Sequence, residues 1–215
     1  MQKDYIFFDF DGTLVDTSAG IFDSIKYAFL KMGEPIPSQE ELRKYIGPPL
    51  EWSFSNFNNM NEKDALETTR LFRENYREKG VKMHTLYDGV AKMLESLSEN
   101  GKFLAVATSK PEHFAVQILK EYDLYKYFKV ISGATFDGTR STKKDVLLHA
   151  VNLANVDSLQ NCVLIGDTKN DVVGANEVGM DCVGILYGFG TDEELKSAGA
   201  IETVNTPQDI VSLFL

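Results

Sequence analysis

The chain has 215 residues, 43% of them hydrophobic and 11% aromatic, enough to bury one compact domain and a smaller insertion. Its 22 basic and 32 acidic residues give a formal net charge of −10, which argues against a basic surface for nucleic acid polymers or anionic lipid and leaves small molecules as partners. Cys162 and Cys182 lie in apolar runs and read as reduced, buried thiols suited to the cytoplasm; no apolar stretch reaches the ~20 residues of a membrane span, and Met1 to Tyr5 carries no signal-peptide pattern.

In chain order the first element is an apolar run, Tyr5 to Phe8, that reads as a short strand. It empties into Asp9-Phe10-Asp11-Gly12-Thr13, and the two-residue period of extended chain puts Asp9 and Asp11 on one side. Two carboxylates at the end of a buried strand carry a large desolvation cost unless a cation neutralises them, and a hard divalent ion fits. The plain alternative is an acidic strand-to-turn junction of no special role.

Residues 17 to about 80 show no strand but three helical patterns. The first has Ile21, Phe22, Ile25, Ala28, Phe29 and Met32 on one face, Thr17 or Ser18 as its cap and Gly33 as its stop. The second opens with a capping box, Ser38 and Glu41, and runs to Gly47-Pro48-Pro49. The third, with Ala65, Thr69, Phe72 and Tyr76 in register, stops at Gly80. This predicts a helical cap domain over residues 16–81, inserted after the first strand of a core made of residues 1–15 and 82–215. A bundle inserted there is expected to lie over the carboxyl ends of the sheet, where open α/β folds bind ligands. Trp52, Phe54 and Phe57 read as packing, with a substrate-facing Trp52 as the alternative.

Beyond the insertion, strands and helices alternate. Phe103 to Ala107, Lys129 to Ser132, Cys162 to Ile165 and Cys182 to Leu186 are continuous apolar runs that suit a sheet covered on both faces. Helical patterns fall between them: Val90, Met93, Leu94 and Leu97; Val146, Leu147, Ala150, Val151 and Ala154; and Val172, Ala175 and Val178. The predicted class is α/β, a doubly wound, Rossmann-like parallel sheet with a small all-helical cap.

The second core strand ends in Thr108-Ser109-Lys110 ahead of Pro111, hydroxyls placed for an anion such as phosphate or for a helix cap. Lys143 and Lys144 open a later helix, where a cation faces the positive end of the dipole; that conflict hints at function, and a solvated lysine is the alternative. The fourth long run empties into Gly166-Asp167, with Asp171 one helical turn on and turned back toward it. Asp167 as a helix N-cap is the competing reading. If both acidic strand ends are central and parallel, Asp9, Asp11, Asp167 and Asp171 converge on one pocket. With no His or Cys nearby, that set calls for an oxygen-liganded ion, Mg²⁺ above all.

In this order the motifs resemble the haloacid-dehalogenase-like superfamily, whose signature is D-x-D-x-T, a Thr or Ser after the second core strand, a Lys, and G-D-x-x-x-D. The likeness covers essentially the whole chain. Asp9 to Asp16 and Lys44-Tyr45-Ile46-Gly47-Pro48-Pro49-Leu50 look most like the phosphoglycolate phosphatase and 5′-nucleotidase branch. The resemblance implies a Mg²⁺-dependent phosphatase, monomer or homodimer, acting on a small phosphorylated metabolite. Phosphoglycolate comes first, with 5′-nucleotidase, pyrophosphatase or phosphomutase activity as alternatives.

It also implies roles. Asp9 would attack phosphorus to form an aspartyl-phosphate, and Asp11 would protonate the departing alcohol and then activate water. Mg²⁺ would be held by the Asp9 carboxylate, the Asp11 backbone carbonyl and Asp167, with Asp171 behind them orienting the lysine or a metal-bound water. Thr108 and Lys143 would hold phosphoryl oxygens, with backbone amides near Phe10 and Gly12 as further donors. Gly12, Thr13, Ser109, Lys44 and Gly47 would contact substrate, and Arg43, Tyr45 or Trp52 could join Lys44. Two departures stand out: Ser109 replaces a frequent Asn, and Thr142-Lys143-Lys144-Asp145 replaces a frequent Lys-Pro, leaving two lysines of which Lys143 is preferred.

The dehalogenase branch uses a single aspartate and no metal, which Asp11 argues against. Receiver domains also gather acids, a Thr and a Lys around Mg²⁺, but they lack both the helical insertion and the late Gly-Asp motif. His84, His113 and His149 are scattered and suggest no triad or metal site.

Overall fold

The computed structural model describes residues 1–215. Its strands are β1 (Tyr5–Phe8), β2 (Val15–Asp16), β3 (Thr85–Leu86), β4 (Phe103–Pro111), β5 (Val130–Ala134), β6 (Cys162–Gly166), β7 (Asp181–Ile185) and β8 (Glu202–Val204). Its helices are α1 (Ser18–Met32), α2 (Gln39–Arg43), α3 (Leu50–Asn58), α4 (Glu62–Glu78), α5 (Val90–Glu99), α6 (Glu112–Glu121), α7 (Lys143–Ala154), α8 (Lys169–Val178), α9 (Asp192–Ala198) and α10 (Pro207–Phe214). No helix is long and apolar enough to cross a membrane.

The chain divides into two compact units, Met1–Val15 with Leu86–Leu215, and Asp16–Thr85. The first is an α/β unit built on a six-stranded sheet of order β5-β4-β1-β6-β7-β8, with every neighbouring pair parallel. The apolar runs become its central strands because both faces are covered: Ile6, Phe7, Phe8, Leu104, Ala105, Val106, Val163, Leu164 and Ile165 are fully buried. Strand β1 lies between β4 and β6, with Phe8 level with Val106 on one side and Ile165 on the other. All parallel strands end on the same edge, so whatever follows β1, β4 and β6 meets there.

The second unit is helical. Ile21, Phe22, Ile25, Ala28 and Phe29 of α1 are buried, and so are Ala65, Thr69, Phe72 and Tyr76 of α4. The Ser38–Glu41 capping box forms, and Gly33 closes α1 in the left-handed conformation. Thr17 occupies the α1 N-cap, and Asp16 Oδ1 accepts from the Ser18 N–H at 2.9 Å.

Several elements differ from the sequence expectation. The second insertion helix stops at Arg43 rather than running to Gly47, and Leu50–Asn58 forms a fourth helix whose short, aromatic-rich pattern gave no clear period. The return to the α/β unit falls at Thr85–Leu86 rather than at residue 81, because Gly80–Lys82 form a 3₁₀ turn with Gly80 and Val81 buried. Strand β4 continues through Pro111, with a register shift between Thr108 and Pro111. The C-terminal β8, α9 and α10 went unread, being short and only partly apolar.

Candidate active site

Asp9 is the first residue past β1, and its N–H donates to Ile165 O of β6 at 2.9 Å, so the ladder fixes the backbone that carries the carboxylate. Lys143, the first residue of α7, places Nζ 2.5 Å from Asp9 Oδ1, 3.0 Å from Asp171 Oδ1 and 2.9 Å from Ala107 O. Of the two candidate lysines, Lys143 is buried beside these carboxylates and Lys144 is exposed. The dipole conflict at Lys143 is resolved by two carboxylates, while Thr142 and Asp145 form a capping box that satisfies the helix end.

Asp171 lies in the first turn of α8, where its Oδ2 accepts from the Thr168 N–H and hydroxyl at 2.9 and 2.8 Å. Thr168, not Asp167, is the N-cap of that helix. Asp167 is thereby left to the site. Its Oδ1 accepts from Thr13 Oγ1 at 3.1 Å and its Oδ2 from Phe189 N at 2.9 Å.

The carboxylate oxygens of Asp9, Asp167 and Asp171 come within 4.8 Å of one another, and all three residues are buried. Burial pushes the Asp9 carboxyl up to about 6, against the pull of Lys143. Burial, then the charges of Asp171 and Asp9, hold Asp167 well above the usual carboxylate range. Burial works against the Lys143 ammonium, but Asp171 and Asp9 outweigh it and hold its proton more tightly than usual. Burial comes first for both carboxyls, and behind it three buried carboxylates face one ammonium, an excess of negative charge. An all-oxygen donor set with that excess fits a hard divalent cation, so Asp9, Asp167 and Asp171 could hold Mg²⁺.

The Asp11 carboxylate is directed elsewhere. Lys110 Nζ lies 2.9 Å from Asp11 Oδ1, and the two side chains are 3% and 15% exposed. The Asp11 side chain thus lies outside the cluster of Asp9, Asp167 and Asp171.

Thr13 and Gly12, expected to contact substrate, both have partners within the protein. The Thr13 hydroxyl is fully buried and donates to Asp167 Oδ1. The Gly12 N–H donates to Val15 O at 2.9 Å within the turn after β1 and is not open as a donor. Gly12 serves in another way: at φ +84°, a Cβ there would sit 2.1 Å from Asp167 Oδ2. Thr108 is buried in β4, just before its register shift, and its Oγ1 accepts from Lys110 N at 3.2 Å, while Ser109 is half-buried.

Lys44 and Gly47 belong to the helical unit, with Lys44 exposed at the C-cap of α2 and Gly47 at φ +103°. In that unit Tyr45 is buried and its hydroxyl donates to Asn58 Oδ1 at 2.6 Å, whereas Arg43 and Trp52 are exposed.

Sequence reasoning missed Lys110 and the loop after β7. In that loop Tyr187 OH donates to Thr13 O at 3.1 Å, and Gly190 N donates to Asp167 O at 3.0 Å. The readable signal was position: Tyr187-Gly188-Phe189-Gly190 follows β7, the fifth parallel strand in chain order, which ends on the same edge.

Residues 6–185 match the family model described as haloacid dehalogenase-like hydrolase. The chain belongs to that family. It is 36% identical over 192 residues to a 5′-nucleotidase of Pseudomonas aeruginosa, covering 89% of this chain and 86% of the relative. It is 38% identical over 186 residues to the tyrosine-protein kinase PtkA of Mycobacterium tuberculosis, covering 86% of this chain and 62% of that protein. A predicted phosphatase from Clostridium acetobutylicum, known as a crystal structure, superposes with a TM-score of 0.95 at 38% identity, over 99% of this chain and 98% of that one. The chain is a phosphatase of the haloacid dehalogenase-like family.

Proposed function

We propose that this phosphatase hydrolyses a small phosphomonoester in two steps through an aspartyl-phosphate on Asp9. The observation that carries the reading is the Asp9 carboxylate, fixed at the end of the central strand within reach of Lys143, Asp167 and Asp171. In the first step an Asp9 oxygen bonds to phosphorus, the bond to the leaving oxygen breaks, and Asp11 delivers a proton to that oxygen. In the second step Asp11 takes a proton from water, the water oxygen bonds to phosphorus and the Asp9–phosphorus bond breaks. Lys143 and the Thr108 hydroxyl hold phosphoryl oxygens, and Ser109 lies beside them. Asp9 and Asp167, with the Asp11 carbonyl, would hold Mg²⁺, and Asp171 orients Lys143 from behind. Bound there, Mg²⁺ supplies charge screening that lets an anionic nucleophile approach an anionic ester.

Substrate choice is assigned to the helical unit, acting as a cap through Lys44 and Gly47. The 5′-nucleotidase relative makes nucleoside 5′-monophosphates the first substrates to try, with phosphoglycolate and pyrophosphate next. The test is phosphate release from that panel with Mg²⁺ and with chelator, on the wild type and on Asp9→Asn. Release that needs both Mg²⁺ and Asp9 supports the reading; release that survives Asp9→Asn ends it. The likeness to PtkA favours a second reading, transfer from Asp9 to a tyrosine hydroxyl in place of water, which the same panel with a tyrosine peptide added reveals as substrate consumption matched by phosphopeptide rather than by phosphate release.

A further inference from the structure

Strand β4 does not end regularly. Thr108 pairs with Gly133 of β5 and Pro111 pairs with the next residue, Ala134, so Ser109 and Lys110 form a bulge with no residue opposite them. Bulges turn side chains out of the alternation a regular strand imposes. This one is held on purpose: Gly133 N donates to Glu112 Oε2 at 3.2 Å, Arg140 Nε donates to Gly133 O at 2.6 Å, and Arg140 also pairs with Glu112 at 2.7 Å. A Cβ at Gly133 would come within 2.5 Å of the Glu112 backbone and 2.7 Å of Lys110 O, so only glycine fits beside the bulge.

The outcome is a lysine with a 3% exposed side chain aimed at Asp11. We infer that Lys110, directed by this bulge, is a positioning residue that holds the Asp11 carboxylate in the orientation used for proton transfer to the leaving oxygen. The inference rests on the function proposed above. Lys110 itself exchanges no proton; it fixes the group that does, and a misdirected acid loses most of its effect.

The closing experiment measures kcat/KM, which reports only the steps through departure of the alcohol, for two esters. An alkyl phosphate needs a proton on its leaving oxygen, whereas p-nitrophenyl phosphate releases a stable phenolate without one. Lys110→Met is expected to lower kcat/KM about 100-fold on the alkyl ester and less than about threefold on the aryl ester. In an Asp11→Asn background the same substitution is expected to add nothing on the alkyl ester, as coupled residues do in a double-mutant cycle. Lys110→Gln, which keeps a donor without charge, serves where the methionine variant does not fold, and its ratio is expected to fall between the two.

An equal fall on both esters, or an undiminished effect in the Asp11→Asn background, would overturn the inference while leaving the phosphatase reading intact. A wild type that releases phosphate from neither ester would overturn both.

Discussion

Lys143 Nζ lies 2.5 Å from Asp9 Oδ1 across 134 residues of sequence, and both side chains are buried. Breaking such a pair from one side leaves an uncompensated buried charge, which costs about 3–5 kcal/mol. Lys143→Met is therefore expected to lower both activity and thermal stability, whereas Lys144→Met, at an exposed position, should change neither by more than about 0.5 kcal/mol. Phosphate release and melting of the two variants side by side check this.

Asp9→Asn keeps the shape of the side chain and removes the nucleophile. Turnover should fall by at least about 10³-fold with the circular dichroism unchanged. Steady-state assays on purified protein decide it.

Removing the divalent cation should both stop turnover and destabilise the fold, since an ion bound only by the native state stabilises it by mass action. At about 100 times its dissociation constant, Mg²⁺ is expected to contribute about 2.7 kcal/mol, or roughly 5–10 °C in melting temperature for a chain of this size. Calorimetry in Mg²⁺ and in chelator measures it. Asp167→Asn should remove most of that difference, and an unchanged difference would take Asp167 out of the ion's coordination.

Gly12→Ala places a methyl at a left-handed position against Asp167. The backbone term alone is about 1–2 kcal/mol, and the clash with the carboxylate adds to it. We expect lower melting temperature and weaker Mg²⁺ binding, read by titration calorimetry.

Burial pushes the Cys162 thiol up to about 11 and holds Cys182 well above its usual value. Both thiols are therefore neutral through neutral pH, and the thiolate is the reactive form. Native protein at pH 8 should be inert to a disulfide reagent, and both cysteines should react once denaturant is added.

The fold was legible wherever apolar runs were continuous: Tyr5–Phe8 and Cys162 to Ile165 signal a two-sided sheet because nothing else buries such runs. Asp9 and Asp167 were legible as strand-end acids, since a parallel sheet sends its strand ends to one edge, and Asp171 as an acid one helical turn beyond Asp167. Lys110 was not. Its direction depends on a bulge whose cause, Gly133 with Glu112 and Arg140, lies in three separate segments, and no local pattern records it. The bond from the Thr13 hydroxyl to Asp167 was equally hidden, because the two residues are 154 positions apart in sequence. Short elements such as β8 and α9 carry too few apolar residues to show a period.

Strand β1 has neighbours on both sides, yet those neighbours begin at Phe103 and Cys162. A nascent chain must carry Ile6, Phe7 and Phe8 with an incomplete ladder until the residues of β6 have left the ribosome. Late, long-range pairing of this kind slows folding and exposes an apolar strand to other chains. Overproduction at high temperature is thus expected to send this protein into aggregates more readily than its native stability suggests, and slower synthesis or a holding chaperone should recover it.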